Sequence, residues 1–367
     1  MRAPGRIVSL TFVALAIGVV VLAVALSPRR SGRWVRYVTT VSVPATFRLT
    51  RNFVDYMTVG KDALYGAYMS HGLIVVVNLG TDQVTATIPV KGTVHGVAID
   101  GDHGLGFASN GSDNSVAVFD LNTNKVLKNI PLSSEDPDAI LYDRRVGLVY
   151  VANQKSASAT LIDPATLSVV ATIPLGGGGP EFCRADPNTG LIYQNLKETD
   201  EVVVVDPFKR SVVFRFKLPA GHSPTGLALD AANHRLFVSG MHKKLAVLNS
   251  ENGVMVATLP IGSLSDGVDY DPGLRRAYTA NGLGSMTVIQ QDDPDHYTVI
   301  ENANTRFGGH SVSVEPATHR IYIASFGSIL VYDAMISTAR RTNAAWILPN
   351  CLCCIHTQGV CVEQNHL

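Results

Sequence analysis

Hydrophobic positions along this chain come in short alternating runs, broken every few residues by Asp, Asn, Gly or Pro. "VHGVAID" (94–100), "SVAVFD" (115–120) and "KVLKNIPL" (125–132) are consecutive examples. Alternation at period two predicts half-buried β-strands, and the tight-turn residues between them predict antiparallel neighbours. The four-strand plan of residues 94–132 returns in "PDAILYDRRVGLVYVANQKSASATLIDPATLSVVATIPL" and again in later units such as "PTGLALDAANHRLFVSG" and "SDGVDYDPGLRRAYTAN". Prolines mark the repeat: Pro44, Pro89, Pro131, Pro174, Pro219 and Pro260 stand at intervals of 45, 42, 43, 45 and 41. Each is expected to end an outermost strand, where a missing N–H breaks no ladder bond.

Four strands per repeat of this length predict the radial sheets of a β-propeller. Seven first strands begin near Asp55, His95, Asp138, Glu181, Thr225, Asp266 and His310. The seventh unit holds three strands, ending at "ILVYDAM", whereas "RYVTTVSVP" (36–44) is a fourth strand with no blade of its own. The expected fold is therefore all-β, a seven-bladed β-propeller over residues 36–334, closed by an N-terminal strand that completes the last blade.

Aligned on the Asp that ends each first strand, the repeats share one polar position. His95, Asp138, Glu181, Thr225 and Asp266 stand five residues before Asp100, Asp143, Asp186, Asp230 and Asp271. His310 stands five before Glu315, and Asp55 five before Gly60. First strands of a propeller line its channel, so these seven side chains are expected to form a ring at one mouth. The second strands run back to that mouth and end in Ser70, Asn110, Asn153, Asn195, Ser239, Asn281 and Ser325. Asn110, Asn153, Asn195 and Asn281 are therefore expected as a second layer. The strand-end aspartates, together with Asp120, Asp163, Asp206 and Asp333 after the third strands, are expected to hold turns.

At "VYVAN" (149–153), with "TIPL" downstream, the chain resembles the YVTN-type β-propeller repeat family and its exported, YncE-like bacterial members. "GGPEFCRAD" and "TVIQQDDPDHYTVI" look like further blades of that family, and the resemblance spans roughly residues 37–333. It implies the fold and leaves the activity open, because propellers host many functions.

Charge and termini narrow the setting. Residues 1–36 carry six arginines and no acid, leaving 24 basic against 30 acidic side chains in the remainder. An acidic body argues against nucleic acid as a partner. Residues 1–35 read as a signal peptide or membrane anchor: an apolar run from Ile7 to Leu26, flanked by arginines, is long enough for a membrane-crossing helix. Ala23-Val24-Ala25 offers a cleavage site. Export to the periplasm or the exterior is expected, with a membrane tie if the segment is retained. Residues 335–367 hold Cys351, Cys353, Cys354 and Cys361 at no standard zinc spacing, and are expected as a poorly ordered tail. Cys183 is expected to pack as a small apolar residue. "LGGGGP" (175–180) precedes no helix and is a loop, not a phosphate cradle.

Two functions follow as expectations. One is a cell-envelope binding module presenting the polar mouth to a small ligand or an envelope protein. The alternative is a metal-dependent, lactonase-like hydrolase, with a divalent metal held by Asp138, Glu181, Asp266 and His95 and acting as a Lewis acid. Two ring histidines also permit a haem-like cofactor.

Overall fold

The computed structural model describes residues 31–43, 53–69 and 72–336 of the 367. The N-terminal apolar segment expected as a helix, Pro44, Ser70 and the cysteine-bearing tail lie outside the described residues. Among the described residues, the strands form seven four-stranded antiparallel sheets. A short 3-10 turn spans Gly111–Asp113, and among the described residues no helix is long and apolar enough to cross a membrane.

Blade 1 runs outward through Val54–Val59, Ala63–Tyr68, Leu73–Asn78 and Gln83–Pro89. The inner strands of blades 2 to 6 are Val94–Asp100, Pro137–Asp143, Pro180–Ala185, Pro224–Asp230 and Ser265–Asp271. Blade 7 contains Val312–Glu315, Arg320–Ser325 and Ser328–Ala334. Its outermost strand is Val35–Ser42, antiparallel to Ser328–Ala334, with Val35 opposite Ala334 and Ser42 opposite Ser328. Each inner strand packs on the next around the ring, and Val54–Val59 packs on Val312–Glu315.

The core lies between blades. Tyr322, Ala324 and Ile329 of blade 7 interleave with Leu64, Tyr68 and Val75 of blade 1, and comparable apolar layers separate the other pairs. Each such side chain stabilises the fold by roughly 1.5–3 kcal/mol through burial. Outermost strands face water, as in Lys125–Pro131, where Ile130 alone is buried. Pro89, Pro131, Pro174 and Pro260 end such strands; in blade 4 the strand stops at Lys217, so Pro219 falls beyond it.

The turn aspartates are explained by their bonds. Asp143 Oδ1 accepts the N–H groups of Arg145 and Val146, Asp271 Oδ1 those of Gly273 and Leu274, and Asp120 Oδ1 those of Asn122 and Thr123. Asp333 differs from the expectation. It is an ion-pair partner of Arg36 (2.6 Å) and Arg320 (3.2 Å), which ties Val35–Ser42 to its neighbours. Cys183 is buried in the apolar layer between blades 3 and 4.

Candidate functional site at the channel mouth

Most inner strands enter the ring by a shared local device. Two residues before the shared polar position the backbone takes a left-handed conformation: Asp136 (φ 58°), Gly179 (62°), Ser223 (51°), Leu264 (55°) and Gly308 (83°) in blades 3 to 7. Across that position the pairing with the second strand then shifts register: between Val54 and Met57, Val94 and Val97, Pro137 and Ile140, Pro180 and Cys183, Pro224 and Leu227, and Ser265 and Gly267. Such a bulge bends a strand and re-aims a side chain out of the sheet. Six side chains so aimed, or just ahead of the strand in the case of His310, meet at one opening: Asp55, His95, Asp138, Glu181, Asp266 and His310.

They form an alternating chain of acid and base. Asp266 pairs with His310 Nδ1, and His310 Nε2 lies 3.0 Å from Asp55 Oδ1. The other oxygen of Asp55 is 2.8 Å from His95 Nδ1, which in turn lies 3.5 Å from Asp138 Oδ1. Gln154 Nε2 donates to Asp138 at 3.3 Å and to Glu181 at 3.5 Å. Lys197 donates to Glu181 at 2.9 Å, and the Tyr56 hydroxyl donates to it at 3.4 Å.

Burial and pairing pull the protonation states apart. For Asp55, burial opposes ionisation, but the two imidazoles prevail and hold its carboxyl at about 2. Burial also opposes the charge on His95, yet Asp55 and Asp138 raise it to about 9. His310 is raised well above the usual imidazole value: burial opposes its charge, and Asp266 and Asp55 outweigh it. Asp138 moves the other way: burial, only partly offset by His95, pushes it well above the carboxylate range. Burial likewise lifts Glu181 to about 7 against the pull of Lys197.

The mouth is a cavity of about 730 Å³, within the size range of small-ligand sites. Charged side chains line it all round: His95, Asp138 and Glu181 on blades 2 to 4, and Asp55, Asp266 and His310 on blades 1, 6 and 7. The second side also carries the apolar Phe53, Leu264, Phe307 and Phe326. Phe53 and Phe326 lie 4.7 Å apart by ring centroid, Phe307 and Phe326 5.9 Å, and Phe53 is 5.6 Å from the His310 ring. A second cavity of about 260 Å³ lies further along the same inner strands. Tyr56 borders both cavities, and its ring meets Phe182, which lines the second, edge-on at 5.1 Å.

Thr225 departs from the expected ring. It is 1 % exposed, and its hydroxyl donates 2.7 Å to the Ser265 carbonyl on the neighbouring inner strand. The second layer is likewise set back from the cavity. Asn195 Nδ2 donates to the Thr225 and Gly226 carbonyls at 3.0 Å, Asn153 to Thr160 at 3.0 Å, Asn281 to Ser285 and Thr287 at 3.1 Å, and Asn110 to the Lys91 carbonyl. Asn195 thus ties blade 4 to blade 5 and Asn110 holds the loop before blade 2, whereas Asn153 and Asn281 bond within their own blades. Gln154, Lys197, Tyr56, Asp136 and the phenylalanines take the places at the cavity wall instead. The sequence carries a signal for several of them: Gln154 and Lys197 directly follow the second-strand asparagines, and Phe53, Asp136 and Leu264 sit two before ring residues.

The metal expectation also changes membership. Asp55, His95 and Asp138 bring one donor atom each to within 4.8 Å of one another, a set that contains Asp55 and leaves out Glu181 and Asp266. Glu181 is taken by Lys197 and Asp266 by His310. Within the triad, Asp55 is backed by His310 and Asp138 by Gln154, the outer-shell arrangement that orients metal ligands.

No family model and no curated protein matches the chain, so the YVTN-type resemblance rests on the repeat phrases. Among solved structures it is similar to Kuenenia stuttgartiensis hydrazine synthase, with a TM-score of 0.69 and 16 % identity over 86 % of this chain and 99 % of that one. A likeness at that identity speaks to architecture alone, and it supports the conclusion of the topology: this chain is a seven-bladed β-propeller.

Proposed function

We propose that this propeller is a binding module of the cell envelope that holds a small ligand in its channel mouth. One observation carries the reading. Six side chains at equivalent repeat positions converge on one cavity, and their charged groups bond chiefly to one another. Buried charges that bond one another cost desolvation and are weak contributors to stability, so a ring of them at an opening is better explained by what it receives. The arginine-flanked apolar run at residues 7–26 supports the envelope as its location.

A thermal-shift screen of the full chain against small polar molecules tests this, with Asp138→Asn and Glu181→Gln in parallel. A compound that raises the wild-type Tm by several degrees and leaves both variants unmoved supports the mouth as the site. If every stabilising compound acts equally on wild type and variants, the reading fails.

The Asp55, His95 and Asp138 donor set favours a second reading, a divalent cation with Lewis-acid chemistry toward an ester or lactone in the adjoining cavity. Mixed carboxylate and imidazole donors suit zinc, manganese or iron. Metal analysis of the purified protein and a Tm series with Zn²⁺, Mn²⁺ and Ca²⁺ decide it: a shift that vanishes in His95→Gln supports the reading, and no shift with any ion removes it.

A further inference from the structure

Pairing the charges around the mouth leaves one over. Asp266, His310, Asp55 and His95 alternate as two acids and two bases. Lys155 answers Asp136 at 3.2 Å, and Lys197 answers Glu181 at 2.9 Å. Asp138 has no cation of its own. Its nearest base, His95 at 3.5 Å, sits closer to Asp55, and the neutral Gln154 amide supplies its other bond. The Asp138 carboxylate is 5 % exposed and borders the cavity, so it is a buried acid short of a counter-charge.

The apolar wall stands across from it. In a closed ring of seven blades, blade 7 faces the boundary between blades 3 and 4. Phe307 and Phe326 of blade 7 therefore oppose Asp138, Gln154 and Glu181. Large apolar side chains are left uncovered there: Phe307 is 42 % exposed, Phe326 40 % and Leu264 43 %. The pairing at the mouth also disfavours an anion, because each cation already faces a carboxylate that would repel it.

We propose that the mouth takes a small organic monocation, a protonated amine on an apolar or aromatic body, with its ammonium beside Asp138 and Glu181 and its body against Phe53, Phe307 and Phe326. The proposal rests on the mouth being a ligand site and names the class of ligand. The ammonium supplies the missing charge and donates to acceptors on blades 3 and 4. The aromatic side chains give the body a dry surface and ring contacts. A divalent ion in the Asp55, His95 and Asp138 set would displace the Asp55–His95 contact, whereas an amine beside Asp138 leaves it in place.

Calorimetric titration of the full chain with 3-phenylpropylamine, 3-phenylpropanol and 3-phenylpropionate tests charge on a nearly constant body. Methylamine tests the ammonium alone. The amine is expected to bind at least tenfold tighter than the alcohol or the acid. Asp138→Asn should remove that preference, and Phe326→Ala should weaken 3-phenylpropylamine while leaving methylamine unchanged. Equal or tighter binding of the alcohol or the acid, lost in Phe326→Ala, would keep the mouth as a ligand site and overturn the class. Amine binding insensitive to both substitutions, or none at all, overturns the proposal, while the thermal-shift screen decides the site independently. Because Asp138→Asn alters a buried group, its fold is checked by circular dichroism; the wild-type charge series and the exposed Phe326 carry the test if it unfolds.

Discussion

Asp55 is held between two imidazoles, 2.8 Å from His95 and 3.0 Å from His310, and is 4 % exposed. Removing its charge leaves His310 with Asp266 alone and His95 with the more distant Asp138. Asp55→Asn is therefore expected to cost about 2 kcal/mol, the loss of charge-assisted hydrogen bonds, read as a lower Tm or denaturant midpoint. Glu181 and His95 give the site a pH signature. A group whose value rises on folding stabilises the fold at low pH and loses that contribution as pH climbs through the folded value. Glu181 goes from 4.5 to about 7 and His95 from 6.5 to about 9, so the mouth loses stabilisation progressively from pH 4.5 to 9. Asp55 has the opposite sign: its contribution is intact above pH 3.8 and disappears toward 2. The Tm of wild type should fall relative to Glu181→Gln between pH 4.5 and 7. A constant difference across that interval would show that Glu181 is not raised.

At the scale of single strands, the asparagines behind the ring act as staples. Asn195 bonds two carbonyls of the next blade's inner strand, groups that no strand pairs on the channel side. Asn195→Ala is expected to lower stability by about 2 kcal/mol while leaving ligand affinity at the mouth unchanged, measured by denaturation and titration side by side. The contrast shows how far the chain could be read in advance. The repeat, the inner strands and the ring position were legible because hairpin geometry keeps a constant five-residue spacing from the turn aspartate. Thr225 was not separable from its equivalents, because its short side chain reaches a neighbouring carbonyl instead of the opening. The split between ring and staple depends on side-chain length and on which strand lies next door. Phe326 directly follows the second-strand end Ser325 and so carries the same signal as Gln154, whereas Phe307 lies in a loop with no repeat equivalent. Only the closed circle brings the two across from Asp138.

Over the whole molecule, the first and last described strands, Val35–Ser42 and Ser328–Ala334, pair in one sheet. Val35 and Val41 are buried against blade 7, and Arg36 pairs with Asp333. Deleting residues 1–30 should leave the Tm of the propeller within a degree or two. Deleting residues 1–43 should strip the cover from Ser328–Ala334 and produce a large Tm loss or aggregation through the bared edge. Equal stability of the two truncations would show that this strand is dispensable. The Tyr56 and Phe182 rings have a different consequence. They stand where the mouth adjoins the smaller cavity below it, so a guest too large to pass them must leave by the rim through which it entered. Residence time is then set at the rim, and any macromolecule lying across the phenylalanines would lock the occupant inside.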